Sequence, residues 1–357
     1  MQTFRALARA LVCVGLGVGV ASGCASSKSA QPTTALPGVS ESARALAPVP
    51  RDPAELVVGA PESIVLARAA ELRGSALFER LRPYVERATC ASLSEWDDLV
   101  RATARAVLAS RSGGGAEEWL LVLDGSYAET DVERVLRAAS ARTPRSGAAA
   151  PISVDRSGRF AITEDDVLAA SLLERRLLVL GSKGWLRAAL AAVDQPTAKL
   201  TQLPLWTGVA AEVRCTEEAV CVLAVANGSG ARALQRGLAS AGAKALGQQL
   251  VAADSALTLS LPAGAELRLR AQLPEPGAAE AAQRALKDWL WQVGLLTRLA
   301  GLPDVLSAAQ VSANGAALSG ALSVSEADLV RYEQRAGQLL TGAALSSCER
   351  GPVAASP

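Results

Sequence analysis

The first ordered pattern along the chain is a helical one. In "SALFERLRPYVERATC" (75–90), Leu77, Phe78, Leu81, Tyr84 and Val85 recur at helical spacing on one face, with Pro83 placed to kink the element. "SEWDDLVRATARAVL" follows, where Ser94 stands three residues before Asp97 in a capping-box arrangement, and predicts a second helix running to about residue 108. The apolar run of "EEWLLVLDGS" predicts a buried strand closed by a turn at Asp124-Gly125, and Thr130 with Glu133 predicts the start of the helix "DVERVLRAAS". Two hairpins come next. "ISVDRSGRFAIT" turns at Asp155–Gly158, and "VLAASLLERRLLVLGS" turns at Glu174–Arg176 before the helix "KGWLRAALAAV". Gln195 to Pro204 reads as a connection.

The later half repeats this alternation. "VAAEVRCTEEAVCVLAVANG" predicts a hairpin and "SGARALQRGLASAGAKAL" a helix. In "SALTLSLPAGAELRLRAQL" the period is two, with Leu257, Leu259, Leu261, Leu267 and Leu269 inward and Arg268 and Arg270 outward. A helix is expected from about Ala278 to Leu299. Asn314-Gly315 marks a hairpin, and Ser325 with Asp328 caps a last helix, "EADLVRYEQRAGQLL". "LLVLDGSYAETDVERVLRAAS" (120–140) also aligns with "VLAVANGSGARALQRGLAS" (222–240) at an offset of about a hundred residues, an internal repeat of strand, Gly-Ser turn and helix. The expected fold class is α+β: antiparallel hairpins with helices packed on one side, in two related halves, 55–200 and 201–348, before a short tail at 349–357.

The helix "AAQRALKDWLWQVGLLTRLAGL" departs from simple amphipathicity. Leu286, Trp289, Leu290, Val293 and Leu299 or Ala300 form an inward stripe, yet Trp291 is about 200° round from Trp289, and Leu295 also leaves the stripe. The expectation is burial of this second apolar side between the halves. The alternative is a partner or ligand surface at Trp289, Trp291 and Leu295.

Composition narrows the chemistry. The 357 residues contain no His, so Ser-His-Asp and Cys-His mechanisms and imidazole-based zinc sites are excluded. Net charge is +1, with acids and bases interspersed and no basic stripe, so nucleic acid is not an expected partner. No cofactor or metal is expected. Gly228-x-Gly230-x-x-Ala233 has the spacing of a dinucleotide-binding turn, but no acid ends a following strand, and it reads as a tight strand-to-helix turn. The acidic cluster at 163–166 reads as a solvated turn; an enzyme here would have to work through carboxylates, Lys, Tyr or Cys, and the carboxylate alternative would use residues such as Asp165 or Asp166.

Residues 1–10 carry Arg5 and Arg9 without an acid, and Ala10 to Ala21 is uncharged and apolar. Twelve helical residues span roughly 18 Å, too short for a ~30 Å hydrocarbon core, so 1–23 reads as a signal peptide. Ala21-Ser22-Gly23-Cys24 resembles the lipobox of bacterial lipoprotein precursors, with Ala at position 21 where the pattern prefers Leu. The resemblance implies cleavage after Gly23, diacylglycerol on the Cys24 thiol and acylation of its freed amine. Residues 24–54, rich in Ser, Thr, Ala and Pro, then read as a flexible tether. Ala25, in place of the Asp that commonly retains lipoproteins in an inner membrane, favours the outer one. In an oxidising compartment the remaining four cysteines, Cys90, Cys215, Cys221 and Cys348, suggest two disulfides with three connectivities open, Cys215 with Cys221 across a hairpin and Cys90 with Cys348 being the favoured pairing and four free thiols the alternative. The function expected is that of a non-enzymatic, lipid-anchored envelope module partnered by the membrane, with an envelope protein or lipid as possible partner. A carrier of an apolar ligand and a carboxylate enzyme are the alternatives.

Overall fold

The computed structural model describes residues 50–75, 97–113, 116–131, 153–157, 160–164, 168–193, 206–261, 264–299, 301–331 and 334. Cys24, Cys90, Cys348, Asp165, Asp166, the helix expected at 75–90 beyond its first residue, and the 195–204 connection lie outside these residues. The described chain is α+β, built on one antiparallel sheet of twelve strands in the order β11-β12-β10-β9-β8-β1-β2-β3-β7-β6-β5-β4. The strands are β1 (Ser63–Ala67), β2 (Thr103–Gly113), β3 (Ala116–Gly125), β4 (Ser153–Ser157), β5 (Phe160–Glu164), β6 (Leu168–Leu173), β7 (Leu177–Ser182), β8 (Val220–Ala224), β9 (Asp254–Ser260), β10 (Gly264–Gln272), β11 (Gln310–Asn314) and β12 (Ala317–Ser325). Helices α1 (Ala69–Gly74), α2 (Asp97–Ala102), α3 (Lys183–Ala192), α4 (Ser229–Ser240), α5 (Lys244–Leu250) and α6 (Pro276–Leu299) accompany them, and further helical turns begin at 129 and 326 among the described residues. β1 pairs with β2 on one side and β8 on the other, so the strands of 55–200 and 201–348 share one sheet. At the repeat, β3 and β8 are each followed by a helix start, at residues 129 and 229.

Both faces of the sheet are apolar, and the alternating register shows why. Val65, Ala67, Ala106, Leu121, Leu123, Leu178 and Leu180 point to one face, where Leu72 of α1 and Leu99 of α2 cover them. Farther along the same face, α5 and α6 bury Ala271 and Leu318. Most helices therefore share a side, as expected. α3 does not: it crosses to the opposite face and packs Trp185, Leu186 and Ala189 on Ile64, Val107, Leu120, Val122 and Val179, together with the 3-10 turn Pro53–Leu56. A strand buried on both faces loses polar alternation, and β7, "LLVLGS", has five fully enclosed residues in a row.

Several expectations need correction. The helix predicted over 94–108 ends at Ala102, and "TARAVLASRSG" is β2, a strand paired on both edges. Its alanines favour a helix in isolation, but pairing with β1 and β3 outweighs local propensity. The hairpin expected over 209–228 is a single strand, β8, preceded by a π-helical segment at Trp206–Ala210 and by turns at 213–217. The helix predicted at 229–246 is two, broken at Gly242, whose φ of +80° suits glycine alone. The helix after β3 starts at Glu129, where the Asp131 carboxylate accepts from the Ala128 N–H at 2.7 Å; Glu133 lies outside the described residues.

Other local signals are matched. β9 and β10 pair as the alternation predicted. The β11–β12 hairpin closes beside Asn314, with Gly315 (φ +57°) and Ala316 between the paired Asn314 and Ala317. The Ser325 hydroxyl accepts from the Asp328 N–H at 3.1 Å.

Candidate functional site

The long α6 forms because Ala279, Ala282 and Leu286 supply a buried stripe against β11, β12 and α5. Trp289 belongs to that stripe: it packs on the same cluster, and its indole N–H donates to the Ala241 carbonyl at 2.9 Å. Trp289 is thus part of the packing and not of an exposed surface. Trp291 and Leu295, off the stripe, meet the opposite fate from the burial between halves that their apolar character suggested, and Leu299, expected on the inward stripe, is exposed with them. Trp291 is 64% exposed, Leu295 38%, Leu296 64% and Leu299 76%. These are the only large hydrophobic side chains left exposed among the described residues, and they fall within nine residues at one helix end. Such concentration distinguishes a patch from the scattered apolar exposure normal to any surface.

The sheet end toward which this helix points carries a polar cluster. Asp124, 8% exposed at the end of β3, accepts from Arg105 Nε (3.0 Å) and Nη2 (2.7 Å) on one oxygen and from Arg176 Nε (2.9 Å) on the other. Both arginines also donate to the Arg51 carbonyl. The chain entering the body from its N-terminal side is clamped here, at the β2–β3–β7 corner. A carboxylate saturated by two guanidinium groups is a structural anchor and not a free base.

Beside it, the Tyr127 hydroxyl lies 2.8 Å from Thr103 Oγ1, which donates to the Leu99 carbonyl. The phenol is pushed up to about 12, chiefly by burial, with the Asp124 charge adding to the rise. The folded state therefore holds this proton more tightly than the unfolded chain, whose tyrosine titrates near 10. The stability from the neutral phenol is fully present below that pH and is lost as pH rises toward 12. Unfolding free energies at pH 9 and pH 11 are expected to differ by roughly 1 kcal/mol more in the natural protein than in Tyr127→Phe. Equal pH losses in the two proteins would refute this titration.

The glycine turn at 228–230 proves to be a packing device. The Ser229 N–H, first on α4, donates to the Glu62 carboxylate at 2.6 Å, and the Ser112 hydroxyl donates to the same oxygen at 3.0 Å. Desolvation would raise this carboxyl, but the Ser229 and Ser112 hydrogen bonds outweigh it and hold Glu62 below its ordinary value. A Cβ on Gly230 would stand 2.4 Å from the Ser63 Cβ, so the glycines let α4 approach β1. The helix N-terminus that a pyrophosphate would need is taken by the protein's own carboxylate.

Cys215 and Cys221 form the expected disulfide, with Cα atoms 5.4 Å apart. It ties the turn before β8 to that strand, and both residues are buried. Sequence reasoning missed Glu62, Arg51, Arg105 and Asp124 as partners, since their contacts span 19 to 167 residues and leave no local spacing.

Among the described residues no helix is long and apolar enough to cross a membrane, and no cluster of three metal-ligating residues is present. No family model and no curated protein matches the chain. Among solved structures, the chain is similar to three crystal forms of TP0453. Form III is 15% identical, over 80% of this chain and 98% of that one, with a TM-score of 0.45. Form I is 15% identical over 81% and 97%, also at 0.45. Form IV is 14% identical over 79% and 96%, at 0.42. A resemblance this distant assigns neither family nor activity to the chain.

Proposed function

We propose that this chain is an exported, lipid-anchored protein of the cell envelope that acts as a non-enzymatic binding or structural module, held at the outer membrane through Cys24. The observation that carries the reading is Ala21-Ser22-Gly23-Cys24 directly after a twelve-residue apolar run. The tether composition of 24–54 and the absence of His from the whole chain support it. Each buried acyl CH₂ contributes about 0.8 kcal/mol, so multiple chains hold the protein durably.

Cells expressing the protein and fed labelled palmitate are expected to give a labelled, membrane-sedimenting product. Cys24→Ala should abolish the label and leave the protein unprocessed or released. An unlabelled natural protein, or one that keeps its first 23 residues in the envelope fraction, would end the proposal.

A further inference from the structure

We infer that the C-terminal end of α6, presenting Trp291, Leu295, Leu296 and Leu299, is a second membrane contact that dips into the same lipid surface to which Cys24 is attached. The inference rests on the lipid-anchor reading above for its choice of occupant, and on the placement of two features for its geometry.

Register defines the ends of the sheet. Ala67, Gly125, Leu177, Val220, Gly264 and Ser325 all lie at one end, because β1 to β12 are linked pairwise through these positions. The entering chain is clamped at this end, where Arg105 and Arg176 hold the Arg51 carbonyl. α6 starts after Gln272, at the opposite end, and reaches mid-sheet near Leu286, whose Cδ2 lies 3.8 Å from where a Cβ on Gly320 would stand. Gln283 donates to the Val311 carbonyl at the same level. The thirteen residues from Leu286 to Leu299 add about 20 Å, which carries the apolar tip to the end where the tether enters.

Lateral distance is compatible as well. Five strand spacings separate β12 from β2, about 24 Å. A chain of the 25 residues between Cys24 and Pro50, with the tether behaviour their composition implies, would span roughly 28 Å root mean square. Anchor and tip can therefore meet one surface together, and tethering raises the tip's effective concentration there.

The patch has the make-up of an interfacial contact: an exposed indole with aliphatic neighbours at i+4, i+5 and i+8. Arg284, Lys287 and Asp288 charge the outer side in the preceding turns, so the helix end dips while the rest stays in water. A second copy of the chain is the poorer occupant. Four side chains at these exposures offer on the order of 500 Å², short of the ~800 Å² per partner of a stable interface.

The test uses the mature chain carrying Cys24→Ala, which has no lipid, with vesicles of phosphatidylethanolamine and phosphatidylglycerol bearing brominated acyl chains. Tryptophan emission is expected to be quenched by these vesicles, and the quenching lost in Trp291→Ala. Leu295→Ser with Leu299→Ser should lower the vesicle-bound fraction about tenfold while circular dichroism stays unchanged. No quenching in the parent, quenching that persists in Trp291→Ala, or a lipid-free dimer abolished by the same substitutions would each overturn the inference. Palmitate labelling at Cys24 is measured separately, so failure of the anchor and failure of the tip are told apart.

Discussion

Trp185→Ala is expected to lower the unfolding free energy by about 4 kcal/mol, within the range for deleting a buried aromatic ring. The side chain is fully enclosed beneath α3, and its indole N–H donates to the Val58 carbonyl at 3.0 Å, across 127 residues. The Arg111 guanidinium lies 4.4 Å from the ring centroid, and its Nε is 2.7 Å from Glu118. Removal would open a cavity against Leu56, Val57, Ile64 and Leu120, orphan a buried carbonyl and take away the cation's aromatic platform. It would also loosen the Pro53–Leu56 turn from the sheet, since Trp185 is that segment's bolt. Trp185→Phe keeps most of the volume and loses the hydrogen bond, so it should cost roughly 1–2 kcal/mol. Urea unfolding of the three proteins separates the two contributions. A Trp185→Ala midpoint within error of the natural protein would refute this account of the core.

Gly125→Ala is expected to cost about 3 kcal/mol or to prevent folding, although it adds a single methyl group. A Cβ at this position would stand 2.1 Å from the Ala102 carbonyl oxygen and 2.7 Å from the Tyr127 hydroxyl. The first neighbour is backbone, held where α2 passes into β2 at the register shift between Thr103 and Arg105. No rotamer change relieves that contact. The corner also carries the Asp124 clamp on Arg51, so the same substitution should increase proteolysis of the entering segment. Gly184→Ala is the control, because the nearest atom to its Cβ is the Glu118 carboxylate at 4.0 Å. Matching thermal midpoints for Gly125→Ala and Gly184→Ala would show that the corner is softer than its geometry implies.

These two sites also mark the boundary of what could be read in advance. Elements whose cause lies within a few residues were legible: the alternation of β9 and β10, the glycine hairpin before β12, the cap at Ser325, the inward stripe of α6. Their physics is local, since side-chain period, turn conformation and capping act over two to four positions. The amino-acid order by itself determined the α+β class, these elements, the exclusion of imidazole chemistry and the expectation of an anchored N-terminus.

Only the tertiary structure decided the rest. It turned "TARAVLASRSG" from helix to strand, because burial between β1 and β3 outweighs an alanine's helical preference. It left Trp291, Leu295 and Leu299 in solvent where burial was expected, an outcome that the helical period alone does not fix. It put Glu62 at the α4 terminus and Arg51 between two arginines, through contacts of long sequence separation. Periodicity specifies which side chains seek cover; the sheet order, a matter of which distant strands pair, determines which of them find it.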